Sequence, residues 1–104
     1  MTNKEEKNKI KLGIIPSNKF NKQLKKMVKQ GKKIEKLKEI VKKLANKETL
    51  DIKNKDHALN DTKYFKGCRE CHIEPDWLLI YKIHNNKLIL YLMLTRSHSD
   101  LFNM

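Results

Sequence analysis

The 104-residue chain is predicted to be a single α+β domain of order β-α-α-β-β-β, with a helical hairpin packed on one face of a small antiparallel sheet. Three observations predict this class. A short apolar run is followed by two stretches of helical apolar spacing, and three strand-like runs occupy the second half. The length leaves room for one modest core. Residues 1–9 are polar and are expected to form a flexible tail, so the domain would span 10–104.

The first strand is predicted from Ile10 to Pro16, where apolar residues largely alternate. Either Ser17 or Asn18 is expected to cap the helix that follows. The apolar residues of this helix recur on one face, at Phe20, Leu24, Met27 and Val28. Gly31 interrupts the pattern, and a second apolar stripe follows at Ile34, Leu37, Ile40, Val41 and Leu44. Because the break is short, the two helices should form an antiparallel hairpin.

Residues 47–66 are polar and lack a period, so they are interpreted as an irregular connection. Three strands are expected at about 67–73, 77–83 and 87–96. Asn85 and Asn86 indicate a hairpin turn, because asparagine tolerates a positive φ. The last strand alternates Leu88, Leu90, Leu92 and Leu94 on one face. That face continues to Arg96 and His98, where the sheet is expected to leave its core and meet a ligand.

The charge balance indicates a polyanionic partner. Lys and Arg number 24 against 12 Asp and Glu, for a formal net charge of +12. Nucleic acid is the expected partner, because binding phosphates releases counterions. Between Lys19 and Lys47 there are 12 lysines and two acids, which favours a phosphate-facing helical surface over an ordinary solvated one.

No stretch approaches the roughly 18 apolar residues of a membrane span. The first nine residues also lack the apolar segment of a signal peptide. We therefore expect a cytoplasmic protein with no membrane partner.

Three histidines and one aspartate lie in unusual sequence windows of the second half, at His57, His72, Asp76 and His98. Histidine is suited to both giving and taking a proton near neutral pH. Any one of these histidines alone would more simply be a surface side chain. Together with a basic surface, the set predicts an enzyme that cleaves RNA by acid–base chemistry. His84 lies in the predicted turn and is assigned no role.

Cys68 and Cys71 form a single C-x-x-C pair. A structural zinc site takes four ligands, and positions i and i+3 of a strand point to opposite faces. We therefore expect two reduced thiols and no metal, with a zinc-stabilised nucleic-acid module as an alternative.

Aromatic side chains close in sequence to the predicted histidines and aspartate are suited to stack on RNA bases. Trp77 follows Asp76 directly and Phe102 lies close to His98, so these two are predicted to stack. Tyr81 lies within the middle strand and is expected in the core instead.

Three windows between residues 55 and 102 resemble the YafQ branch of the RelE-type toxins of bacterial toxin–antitoxin pairs. They are Lys-Asp-His-Ala-Leu at 55–59, Phe-Lys-Gly-Cys-Arg-Glu-Cys-His-Ile-Glu-Pro-Asp-Trp-Leu-Leu-Ile-Tyr at 65–81, and Ser-His-Ser-Asp-Leu-Phe at 97–102. The resemblance implies a RelE-like fold and an endoribonuclease that cleaves mRNA in the ribosomal A site. It also implies a neutralising antitoxin of the DinJ/RelB kind.

The same resemblance assigns site residues one by one. The family's active-site histidines fall on His57, His72 and His98, its aspartate on Asp76, and its aromatics on Trp77 and Phe102. Basic residues in these windows are expected to contact RNA, namely Lys55, Lys66 and Arg69.

The chain departs from the family at one position of the last window. The arginine that usually precedes the last histidine by four residues is replaced by Leu94, and Arg96 stands where glycine is usual. Arg96 would then stabilise the phosphate, displaced by two residues along the same strand face.

The residue types suit a reaction that needs no cofactor. RNA supplies its own nucleophile, the 2′-OH, so one base and one acid are sufficient. His98 is the expected acid, and His57, His72 or Asp76 is the base or an orienting group. A non-catalytic RNA- or ribosome-binding relative that retains antitoxin binding is the alternative, motivated by Leu94.

Overall fold

The structure, a computed structural model, describes residues 11–59 and 65–95. Its main elements are β1 (Gly13–Pro16), α1 (Asn18–Lys29), α2 (Ile34–Ala45), β2 (His57–Ala58), β3 (Arg69–Glu74), β4 (Trp77–His84) and β5 (Lys87–Thr95). The predicted helical hairpin and the three strands of the second half are confirmed. A short 3-10 helix, Ile52–Asn54, and β2 lie in the stretch interpreted as irregular. The predicted tail at 1–9 lies outside the described residues.

The five strands form one sheet of order β1-β5-β4-β3-β2. The pairs from β2 to β5 are antiparallel, as predicted. β1 is parallel to β5, so the sheet is mixed. The prediction of a wholly antiparallel sheet is therefore wrong for this pair of strands. Antiparallel neighbours follow from tight turns, whereas β1 reaches its partner only after the helices and three further strands.

Local signals in the sequence explain the ends of the helical hairpin. The Ser17 hydroxyl accepts a hydrogen bond from the Phe20 amide at 3.0 Å and caps α1. Gly31, at φ 81°, supplies the left-handed backbone between the helices. Val28, predicted on the apolar face of α1, is 55% exposed. The hairpin turn after β4 is confirmed, with φ of 49° at Asn85 and 63° at Asn86.

The core lies between the two helices and one face of the sheet, which we call the helix-covered face. It is built from Cys71 and Ile73 of β3, Trp77, Leu79 and Tyr81 of β4, and Leu88, Leu90 and Met93 of β5. Strand residues alternate between faces, and register partners share one. The opposite face therefore carries Glu70, His72, Leu78, Ile80, Leu92 and Leu94.

A bulge in β5 changes which residues face the helices. Ile80 pairs with Leu92 but Tyr81 pairs with Leu90, so Tyr91 is the extra residue. Before the bulge the even-numbered Leu88 and Leu90 face the core, and after it the odd-numbered Met93 does. The prediction that Leu88 to Leu94 share one face is therefore wrong, because a strict alternation ignores the extra residue. Within the described residues, no helix is long and apolar enough to cross a membrane.

Candidate active site

The structure brings two of the predicted histidines to the same face of the sheet. His57 of β2 is the register partner of Glu70 in β3, and His72 follows Glu70 by two residues. Residues two apart on a strand point the same way. His57 and His72 therefore lie on the face opposite the helices. Arg96, His98 and Phe102 lie outside the described residues.

The ring of His57 has an acceptor at each nitrogen. Nδ1 lies 2.8 Å from the Lys55 carbonyl oxygen, which only accepts, so Nδ1 carries a proton. Nε2 lies 3.3 Å from Oε1 of Glu70. Both contacts are favourable hydrogen bonds when both nitrogens are protonated, which is the imidazolium form. The side chain is 50% exposed and accessible to a ligand.

His72 has a different arrangement. Its Nδ1 lies 3.2 Å from the Pro75 carbonyl oxygen and donates to it, which leaves Nε2 of the neutral ring as an acceptor. Among residues 11–59 and 65–95, no polar group is bonded to that Nε2. Pro75 and Asp76 form the turn between β3 and β4, and Asp76 is exposed there. The predicted aspartate thus adjoins the residue that orients His72.

Asn54 fixes the backbone at His72. Its Nδ2 donates to the His72 carbonyl oxygen at 2.7 Å, and the side chain is only 5% exposed. This bond satisfies a carbonyl at the irregular end of the β3–β4 pair. Asn54 was not predicted from the sequence, because nothing local distinguishes it from other asparagines of a polar stretch.

Asp56 ties the segment before β2 to the rest of the sheet. Its Oδ1 accepts from the Tyr81 hydroxyl at 2.5 Å and from Nε of Arg69 at 3.2 Å. Burial, followed by the hydrogen bond to Asp56, raises the pKa of Tyr81 above its usual value. Arg69, predicted to contact RNA, is ion-paired within the protein through its Nε and Asp56, and its side chain is 42% exposed. Tyr81 is in the core, as predicted.

Trp77 does not lie where the sequence prediction placed it. The side chain is 0% exposed on the helix-covered face, with Nζ of Lys32 at 5.7 Å from the ring centroid. Stacking on a base needs an accessible ring, so the predicted base contact is wrong. Trp77 follows Asp76 in sequence, but the start of β4 directs its ring into the core.

Two further predicted RNA contacts are exposed lysines, and the two cysteines of the C-x-x-C pair are buried. Lys55 and Lys66 are exposed. Cys68 and Cys71 are buried and free, and burial raises the pKa of Cys71 to about 12. The described residues contain no cluster of three or more His, Cys, Asp or Glu side chains suited to a metal ion.

Lysines dominate the outer surface of the helical layer. α1 contains no acidic residue. It exposes five lysines, namely Lys19, Lys22, Lys25, Lys26 and Lys29. Because the helices cover the other side of the sheet, this basic surface and the histidine face point away from each other. Each surface therefore presents its charged groups to a different side of the molecule.

Comparisons with known proteins agree on one family. A family model described as the bacterial toxin of type II toxin–antitoxin systems, YafQ, matches residues 12–103. The mRNA interferase toxin YafQ of Escherichia coli strain B / BL21-DE3 is 38% identical over 94 residues, covering 89% of this chain and 98% of that protein.

Solved structures show the same relationship. The crystal structure of YafQ from E. coli BL21(DE3) matches with a TM-score of 0.75 and 35% identity, over 85% of this chain and 97% of that one. The crystal structure of the E. coli DinJ-YafQ toxin-antitoxin complex matches with a TM-score of 0.75 and 34% identity, over 86% and 97%.

Proposed function

Because the chain belongs to the YafQ family of bacterial type II toxins, whose curated relatives are mRNA interferases, we propose that it cleaves messenger RNA on the ribosome by acid–base chemistry. The observation that carries this proposal is the placement of His57 and His72 on one sheet face. Two imidazoles with different hydrogen-bond partners on one surface can serve different steps of one reaction.

The reaction uses the RNA as its own nucleophile. Nε2 of His72, an acceptor in the neutral ring, takes the proton of the 2′-OH, and the oxygen attacks the adjacent phosphorus. The bond to the 5′ oxygen breaks, and His98 protonates that oxygen as it leaves. A well-placed acid or base contributes about 10²- to 10⁴-fold in rate.

Positive charge assists the same step. His57, held by Glu70 at Nε2 and the Lys55 carbonyl at Nδ1, contributes as a cation near the scissile phosphate when both of its ring nitrogens carry protons. Arg96 supplies a second cation to the non-bridging oxygens, where charge grows in the transition state. Asp76 orients the reacting groups from the neighbouring turn.

We attribute dependence on the ribosome to two separate surfaces, the lysines of α1 on one side of the molecule and the histidines on the other. The lysines of α1 lie beyond the helix-covered face, so they bind ribosomal RNA while the histidine face meets the mRNA. The site of action is therefore the cytoplasm. A DinJ-type antitoxin is the proposed protein partner, supported by the DinJ-YafQ complex of the relative.

Cleavage of mRNA on programmed ribosomes tests the proposal. His72→Ala and His98→Ala should abolish cleavage while the variants still co-sediment with ribosomes. The matched control is His84→Ala, because His84 is an exposed histidine at the turn after β4. Undiminished cleavage by both site variants would contradict the proposal.

Leu94 favours a second candidate, a non-catalytic ribosome-binding relative. It lies on the His72 face and contributes no cation there. The same assay separates the two candidates, because a binder co-sediments with ribosomes and leaves the mRNA intact.

A further inference from the structure

We propose that Asp56, Tyr81 and Arg69, called here the Asp56 network, position His57 for the reaction. The proposal rests on the proposed function, because it assumes that His57 takes part in cleavage. None of the three residues needs to touch RNA. They act through the segment that carries His57.

The network links the edge of the sheet to its core. Tyr81 is 1% exposed and lies among the buried side chains of β4, so its ring is held rigidly. Its hydroxyl reaches Oδ1 of Asp56 at 2.5 Å, across 25 residues of sequence. Nε of Arg69 approaches the same oxygen at 3.2 Å from the adjacent strand. Asp56 therefore has two donors of fixed position.

The backbone around His57 depends on the hydrogen bonds of Asp56 to keep its conformation. β2 contributes only His57 and Ala58 to the ladder with β3. Lys55 has a φ of 45° and ψ of 48°, a left-handed conformation that side-chain-bearing residues seldom adopt. The Lys55 carbonyl in this conformation accepts the Nδ1 proton of His57. Asp56 is the residue between Lys55 and His57. Fixing its side chain therefore also fixes the Lys55 carbonyl and the His57 ring relative to each other.

The electrostatics of the network make it stable near neutral pH. Burial and the Asp56 hydrogen bond keep the pKa of Tyr81 above its usual value, so the phenol remains a donor. The Arg69 guanidinium balances the Asp56 charge. With both donors on Oδ1, Asp56 serves as an acceptor that fixes geometry, whereas Glu70 is the carboxylate that meets His57 directly.

Tyr81→Phe tests the network, because it removes one hydroxyl and keeps the ring in the core. We expect kcat on programmed ribosomes to fall about 10- to 100-fold, the effect of a slightly misplaced group, with KM unchanged. The NMR signal of the His57 Nδ1 proton should shift or broaden. Tyr91→Phe is the matched control, since it removes a hydroxyl from a half-buried tyrosine outside the network, and both readouts should match the wild type.

Two Asp56 variants provide a second measurement that stands even if Tyr81→Phe fails to fold. Asp56→Asn keeps a carbonyl oxygen that accepts from Tyr81, whereas Asp56→Ala keeps none. We expect Asp56→Asn to retain more of kcat than Asp56→Ala. Wild-type kcat and an unchanged His57 signal in Asp56→Ala would overturn the network.

His57→Ala separates this inference from the function on which it rests. A full loss of cleavage in His57→Ala, combined with wild-type behaviour of Tyr81→Phe and Asp56→Ala, rejects the network alone. Unchanged cleavage in His57→Ala rejects the part of the proposed function that uses His57.

Discussion

Nε2 of His57 lies 3.3 Å from Oε1 of Glu70, its register partner across the β2–β3 pair. Only 15% of the Glu70 side chain is exposed, so the carboxylate is partly shielded from water. A charged partner in such a place strengthens a hydrogen bond to a protonated ring. Glu70 is thus the carboxylate that contacts the His57 ring directly.

Glu70→Gln should lower cleavage about 10- to 150-fold, because a hydrogen bond to a charged group contributes about 1.5–3 kcal/mol and about 1.4 kcal/mol corresponds to tenfold. The amide keeps the shape of the side chain and loses its charge. Single-turnover cleavage on programmed ribosomes measures the change.

Glu74→Gln is the control for this prediction. Glu74 lies on the same strand, but its carboxylate pairs with Lys36 at 2.8 Å and not with His57. It should leave the cleavage rate near the wild-type value. Equal losses in the two variants would show that the charge of Glu70 has no specific effect on His57.

Arg96→Ala should reduce cleavage about 10²-fold, the usual cost of removing one group that stabilises transition-state charge. Leu94 shares a cross-strand row with Leu78 and His72, so a long cation at position 94 would extend towards His72. Leu94→Arg in the Arg96→Ala background should therefore restore part of the rate. Single-turnover rates of the single and double variants provide the measurement.

Leu92→Arg in the same background is the control for position. Leu92 lies on the same face but in the neighbouring row, beside Ile80. It should not restore cleavage. Wild-type cleavage by Arg96→Ala alone would assign the phosphate cation to another residue.

Lys22→Gln with Lys29→Gln should weaken binding to ribosomes and reduce its salt dependence. Each lost phosphate contact lowers the slope of log affinity against log salt by about 0.7–0.9. Sedimentation at several salt concentrations gives this slope. The rate of cleavage at saturating protein should stay unchanged, because α1 lies away from the histidine face.

Lys11→Gln with Lys87→Gln removes the same charge from exposed positions outside the helical layer. If this pair changed the slope as much as the α1 pair, the effect would belong to net charge and not to the surface of α1.

The free energy of unfolding should fall as the pH rises above about 9. Burial raises the pKa of Cys71 from 9.0 to about 12, and that of Tyr81 is also raised from 10.0. Both groups lose protons in the unfolded chain at lower pH than in the folded one. The contribution of each group to the free energy of unfolding is therefore fully present below its pKa in the unfolded chain. As the pH rises from there towards the pKa in the folded chain, the free energy of unfolding falls by about 1.4 kcal/mol per pH unit for each group.

Urea unfolding at pH 8, about 9.5 and about 10.5 measures this loss. Tyr81→Phe should make the decline above pH 10 shallower, because one of the two groups is gone. Tyr91→Phe should decline as the wild type does. A stability independent of pH up to about 11 would contradict the burial of both groups.

Local sequence patterns predicted most of the fold. The apolar stripe from Phe20 to Met27 and the turn at Asn85 and Asn86 depend on contacts between near neighbours, which spacing reveals. The structure confirmed both. The parallel pairing of β1 with β5 joins residues more than 70 positions apart, and no local period encodes it.

The candidate site was predictable only in part for the same reason. The residue types of His57 and His72 indicated acid–base chemistry, and the structure places both on one face. The burial of Trp77, however, depends on which face the helices cover. The bulge at Tyr91 adds one residue to β5 and reverses the face of the strand residues that follow it, up to Thr95.

By itself, the sequence determined the two helices, the antiparallel strands, the basic charge and the family, because these follow from residue types and short-range spacing. The tertiary structure decided which side chains meet: Glu70 with His57, Asn54 with the backbone of His72, and Tyr81 with Asp56. These contacts join segments that are distant along the chain. They form only when packing of the helices on one face of the sheet fixes the register and direction of every strand.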